Sequence, residues 1–114
     1  MNLLLSIIAV VLFILIEPLN FVFVVIIKRH KASGYFRNLA VGIDRFGNYQ
    51  FRTLFNALFR LENGYKFGNF NETVSSVLGK NQRDNTLSKI GWLLVNILDF
   101  IDENHCLNSI NDNI

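Results

Sequence analysis

The sequence predicts a mostly α fold, with one N-terminal transmembrane helix followed by a small helical, membrane-proximal body. Two observations predict this. From Leu3 to Ile27, 21 of 25 residues are apolar. Beyond that run, apolar and aromatic residues recur at helical spacing, with basic residues concentrated directly after the apolar stretch. At 51% hydrophobic and 18% charged, the chain is too apolar and too weakly charged for a disordered tail or linker.

The first element is the apolar run. As a helix its 25 residues extend about 37 Å at ~1.5 Å per residue, against a hydrocarbon core of about 30 Å. Its exceptions are Ser6, Glu17, Pro18 and Asn20. Glu17 near the midplane costs about 2.5–3.5 kcal/mol on insertion scales, which the surrounding Ile, Leu, Val and Phe residues offset. Pro18 lacks a backbone donor and predicts a kink over Ile14–Pro18, with Ser6 or Asn20 placed to satisfy freed backbone groups. Glu17 and Asn20 are candidate contacts to a second copy of the helix or to another membrane helix. A cleaved signal peptide fits poorly, because nothing basic precedes Leu3. A hairpin turning at Glu17–Asn20 leaves a second arm of about 7 residues, too short to cross.

Lys28, Arg29 and Lys31 follow the run and form the candidate membrane-surface contact. By the positive-inside rule they place the N-terminus outside and the body in the cytoplasm, at a bacterial or host inner membrane. The expected division is an anchor over residues 1–30 and a body over 31–114. The lone Cys106 offers no disulfide framework, as suits a cytoplasmic body.

The body is electrically lopsided. Lys28 to Lys66 holds eight basic and two acidic residues, while Phe67 onward holds three basic and six acidic. With Glu17, these halves cancel to the total of +2 at pH 7. In the basic half, Tyr35, Phe36, Leu39, Ile43 and Phe46, then Phe51, Leu54, Phe55, Leu58, Phe59 and Leu61, predict amphipathic helices over about 35–46 and 49–62, broken at Gly47-Asn48 and stopped near Gly64. Two placements fit these helices: lying in the headgroup layer, or packing as an ordinary helical core. Eight basic residues without a binding module make a poor nucleic-acid footprint.

Residues 63–85, rich in Gly, Asn and Ser, predict a loop with at most one helical turn beginning near Asn71 or Thr73. Asp84 or Asn85 is the expected N-cap of a last helix over about 86–103. Its apolar core, Ile90 to Ile101, extends about 18 Å, too short to span. It is expected inside the body or sunk against the bilayer, with Trp92 a candidate interfacial anchor.

Chemistry is sparse. His105-Cys106 invites a thiolate reading, but adjacent residues at a helix end seldom present their side chains to each other. His30, His105 and Cys106 do not have zinc-site spacing, and phosphate loops, hydrolase elbows and cofactor motifs are lacking. No enzyme, cofactor or metal is expected.

The run from Asn38 to Cys106 resembles a set of small, mostly uncharacterised proteins of tailed phages and prophages, often encoded beside lysis genes. The residues that carry the resemblance are Asn38-Leu39-Ala40-Val41-Gly42-Ile43-Asp44 with Asn48, then Asn71-Glu72-Thr73-Val74-Ser75-Ser76, then Leu98-Asp99-Phe100-Ile101-Asp102, and finally His105-Cys106. In that family the second motif usually begins with Asp and continues into a basic stretch; here Asn71 and Val77-Leu78-Gly79 stand instead. The resemblance implies a phage accessory protein of the infected cell's inner membrane, connected with lysis or its control. It marks Asp44, Glu72, Thr73, Ser75 and His105 as candidate interaction points. Expected partners are the bilayer and a second copy or another membrane protein. A structural protein of a virion or DNA-ejection channel, and a small subunit of a membrane complex, remain open alternatives.

Overall fold

A computed structural model describes all residues, Met1–Ile114. The chain forms two compact units, Met1–Leu39 and Ala40–Ile114. It is mostly helical, and its one β-type pairing is an isolated antiparallel bridge between Arg60 and Leu87.

The first unit begins with α1 (Asn2–Val22), followed by a π-helical turn, Phe23–Ile27, and a 3₁₀ turn, Arg29–Lys31. The helical stretch Asn2–Ile27 is long and apolar enough to cross a membrane, and none of it is buried within the chain. Pro18 lies inside α1, which continues through it. The departure from α geometry comes further on, where Lys28 N–H reaches the Phe23 carbonyl at 3.1 Å, a five-residue spacing that widens the helix. Glu17 finds a partner inside the chain, since the Tyr35 hydroxyl donates to its carboxylate. Phe21 packs edge-on against Tyr35 and Phe36, with ring centroids 6.2 and 5.9 Å apart. The hydrogen bond to Glu17, followed by desolvation, raises the Tyr35 pKa.

α2 (Ala32–Gln50) is one helix, unbroken at Gly47-Asn48 where a break is predicted. The chain turns at Phe51 instead and resumes as α3 (Arg52–Leu58). The reason is tertiary. Asn48 is fully buried, and its side chain serves the backbone of a distant segment: Nδ2 donates to the carbonyls of Asn69 (2.9 Å) and Glu72 (2.8 Å), and Oδ1 accepts from Gly68 N–H (3.1 Å). A residue of poor helix propensity is retained because it fills hydrogen bonds that would otherwise be buried and unmet.

This gives α2 an inverted orientation within the body. Its polar residues Asp44 and Asn48 point inward, and the apolar residues Ile43 and Phe46 of this stretch point out, 59% and 51% exposed. In α5 (Lys89–Ile101) one face, Gly91 and Val95, is buried, while Ile90, Leu93, Ile97, Phe100 and Ile101 are exposed. Trp92 is partly buried and packs against the core rather than standing free.

Residues 63–85 depart most from expectation. They contain a ten-residue helix, α4 (Val74–Arg83), with Val77, Leu78 and neighbouring polar residues fully buried. The Thr73 side chain caps it by accepting from Ser76 N–H at 3.0 Å. Asn85 does not begin the next helix. Its φ of 57° is left-handed, a conformation asparagine tolerates, and it ends α4. Ser88 caps α5 instead, accepting from Gly91 N–H at 3.0 Å. A short α6 (His105–Asn108) closes the body.

The core joins Phe67, Val77, Leu78, Leu87, Val95 and Cys106, with Phe55 and Phe59 against Phe67 at centroid distances of 5.6 and 6.0 Å. α4 and α6 cross at Gly79. A Cβ there would overlap the Cys106 carbonyl group, 2.7 Å from its carbon, and lie 2.8 Å from Ile110 Cγ1. Gly64, expected as a helix stop, is a point of close approach, where a Cβ would sit 2.5 Å from Asn81 Oδ1.

Candidate functional site

The α4–α6 crossing brings four separated sequence motifs together. Asp44 comes from α2, Ser75 from the first turn of α4, Asp102 from just after α5, and His105 opens α6. Asp44 acts as a second cap on α4: its Oδ1 accepts from Val74 N–H at 2.6 Å, and its Oδ2 accepts from the Ser75 hydroxyl at 3.2 Å. A carboxylate at this end is favoured by the helix dipole as well as by the hydrogen bond. His105 Nε2 lies 3.1 Å from Ser75 Oγ, and its Nδ1 lies 2.9 Å from Asp102 Oδ2.

The result is a continuous chain, Asp102–His105–Ser75–Asp44, with two arrangements. When Ser75 donates to Asp44, His105 donates through both nitrogens and carries a positive charge between two carboxylates. When the ring is neutral and keeps its proton toward Asp102, Ser75 turns its hydroxyl to Nε2, and Asp44 keeps only the Val74 N–H.

The first three members have the bond pattern of an acyl-transfer triad, whose chemistry also needs donors aimed at an oxyanion. Beside it, Val74 N–H is taken by Asp44 and Ser76 N–H by Thr73. The Asp44 carboxylate at the hydroxyl opposes a developing negative charge. Ser75 is also buried, 8% exposed. The arrangement ties α2, α4 and α6 to the end of α5.

Cys106 points away from His105 into the core and is fully buried. Burial, then the charges of Asp99 and Asp44, push its thiol up to about 12. The adjacent pair is therefore no thiolate–imidazole couple.

Glu72 belongs to the interior. Its carboxylate, 1% exposed, accepts from Tyr65 (2.8 Å) and Ser76 (2.7 Å) and pairs with Lys80 at 2.7 Å, while the Lys80 ammonium sits 4.3 Å from the Tyr65 ring centroid. Desolvation opposes the Lys80 charge, but its bonds to Glu72 and Tyr65 outweigh this and its pKa is raised. Desolvation and the Glu72 bond raise that of Tyr65. Of the five residues marked as interaction points, then, Glu72 is an internal ion-pair member and Thr73 a helix cap, while Asp44, Ser75 and His105 form one cluster.

Sequence reasoning missed the asparagines. Asn56 Oδ1 accepts from Phe67 N–H at 2.7 Å and Nδ2 donates to the Phe67 carbonyl at 3.0 Å; Asn81 does the same for Tyr65 at 2.8 and 3.0 Å. With Asn48 they pin residues 65–72 from three helices. The available signal was asparagine in the middle of apolar helical patterns, where propensity alone disfavours it. No cluster of His, Cys, Asp and Glu is arranged to hold a metal ion. Searches against family models, curated proteins and solved structures return no match for this chain.

Proposed function

We propose that this chain is a membrane-anchored, non-catalytic accessory protein whose body works through contacts with lipid and with a membrane-protein partner or second copy. The single observation that carries the reading is the inverted placement of α2. Its polar face is consumed by internal hydrogen bonds, and its aromatic-apolar stripe is left outward beside Arg37 and Arg45, as in a helix that lies in the headgroup layer. The exposed face of α5, with Phe100 91% exposed, adds further outward apolar surface. In this reading Asn2–Ile27 spans the bilayer, Lys28, Arg29 and Lys31 sit at the cytoplasmic headgroups, and the body stays on that side.

The resemblance to phage proteins near lysis genes adds the setting, an infected cell's inner membrane, and a role in lysis or its timing. The test is expression of residues 1–114 in a bacterium. Alkaline carbonate should leave the chain in the membrane pellet, and membrane potential or the timing of lysis should change. Full extraction by carbonate refutes the anchored reading; retention with unchanged potential and lysis refutes the lysis role.

A further inference from the structure

Within Met1–Leu39, a cleft of about 520 Å³ opens between the C-terminal part of α1, the 3₁₀ turn and the first turns of α2, lined by Asn20, Val24, His30, Lys31, Tyr35 and Asn38. It is open along its outer side, a surface groove rather than an enclosed pocket. Its chemistry is one-sided. Lys31 brings an ammonium, Asn20 and Asn38 bring amide donors, His30 brings an imidazole, and no carboxylate lines it. The nearby Glu17 carboxylate is outside the lining and accepts a hydrogen bond from the Tyr35 hydroxyl. Lys31, His30 and Asn38 make no side-chain hydrogen bond inside the chain, so their donors are free for a ligand. The cleft also lies where the apolar run gives way to Lys28, Arg29 and Lys31, the level at which a spanning helix meets lipid phosphates.

We propose that this cleft binds the phosphate diester of an anionic phospholipid headgroup, with Lys31 as the charged contact and Asn20, Asn38 and His30 as hydrogen-bond donors to its oxygens. Val24 and the apolar end of α1 lie along the acyl side. This rests on the membrane-anchored reading above and adds to it a stoichiometric lipid site, distinct from diffuse attraction to a charged surface.

The test uses the full chain in mild detergent micelles doped with phosphatidylglycerol or phosphatidylcholine, with native mass spectrometry counting lipid retained per chain. Phosphatidylglycerol should be held at one copy. Lys31→Gln and Asn38→Leu should each weaken it about tenfold, the size of one charge-assisted hydrogen bond, whereas Lys66→Gln, which removes the same charge outside the cleft, should change it less than about twofold. Equal loss for Lys31→Gln and Lys66→Gln overturns the site in favour of general surface attraction. Soluble glycerol phosphate separates the two sources of the same chemistry: displacement of the lipid by it at millimolar concentration overturns the lipid assignment in favour of a free phosphate ester. Carbonate extraction of the unaltered chain keeps the two proposals apart. Release from the membrane removes both, whereas retention together with indifference to Lys31→Gln removes this one alone.

Discussion

Gly79→Ala puts the helix crossing behind the candidate site to a quantitative test. In an isolated helix the change is favourable by about 1 kcal/mol, because alanine surrenders less backbone entropy than glycine. At the α4–α6 crossing the new methyl would overlap the Cys106 carbonyl group, 2.7 Å from its carbon and 2.8 Å from Ile110 Cγ1. The first is main chain and cannot rotate away, so α6 must shift. Overpacking of this kind costs about 1–3 kcal/mol, with a backbone obstacle at the upper end. The balance is a net loss of about 1–2 kcal/mol, or roughly 5–15 °C in Tm for a body of this size. Gly42→Ala is the control, since it lies inside α2 with nothing within 4 Å of the added carbon, and it should stabilise by a few tenths to about 1 kcal/mol. The chain has one tryptophan, and Trp92 packs on the core, so its fluorescence during thermal unfolding in detergent reports on the body and not on α1. If Gly79→Ala raises Tm as Gly42→Ala does, the close crossing that joins Ser75 to His105 is wrong.

Three further outcomes follow from the same geometry. Glu72→Gln should cost about 3–5 kcal/mol by stranding the buried Lys80 charge, and the double change with Lys80→Met should recover part of that loss in denaturant unfolding; equal stability of the single and double variants refutes the pairing. Asp44→Ala and Asn48→Ala should each destabilise by about 1–3 kcal/mol because they leave buried donors and carbonyls unmet, whereas Ile43→Ser and Phe46→Ser should alter stability in detergent by less than about 1 kcal/mol yet weaken partition of the chain to vesicles; the reverse ranking refutes the inverted helix. Cys106 should resist alkylation at pH 8 in the folded chain. Because the folded thiol keeps its proton to about 12 against an ordinary value of 9.0, the folded state binds that proton more tightly. Its contribution is therefore complete below pH 9 and is lost as pH rises toward 12. Unfolding midpoints that stay flat over that window, or that decline equally in Cys106→Ser, refute it.

How much of this was legible beforehand depends on the range of the interactions involved. The apolar stretch at the N-terminus and the helical character follow from local composition and spacing, and both are present. The motifs marked by resemblance also proved to be spatial neighbours, because Asp44, Ser75 and His105 meet at one crossing. The roles of Glu72 and the asparagines were not legible. A carboxylate in a Gly- and Asn-rich segment looks solvated until Lys80, Tyr65 and Ser76 are seen to surround it. Asn48 looks like a break until the carbonyls it serves, more than 20 residues away, are in place.

The sequence by itself determined that this is a helical protein with one membrane-length apolar segment and a basic stretch directly after it, because chain length, hydropathy and charge are properties of consecutive residues. Tertiary structure alone decided which face of α2 points inward. Periodicity marks Phe36, Ile43 and Phe46 as one stripe and Asp44 and Asn48 as another, and the usual expectation buries the apolar one. The irregular segment 65–72 and the start of α4 reverse that choice. Their backbone donors and carbonyls, together with the Ser75 hydroxyl, need polar partners once enclosed, and Asp44 and Asn48 supply them. Ile43 and Phe46 are turned outward as a consequence.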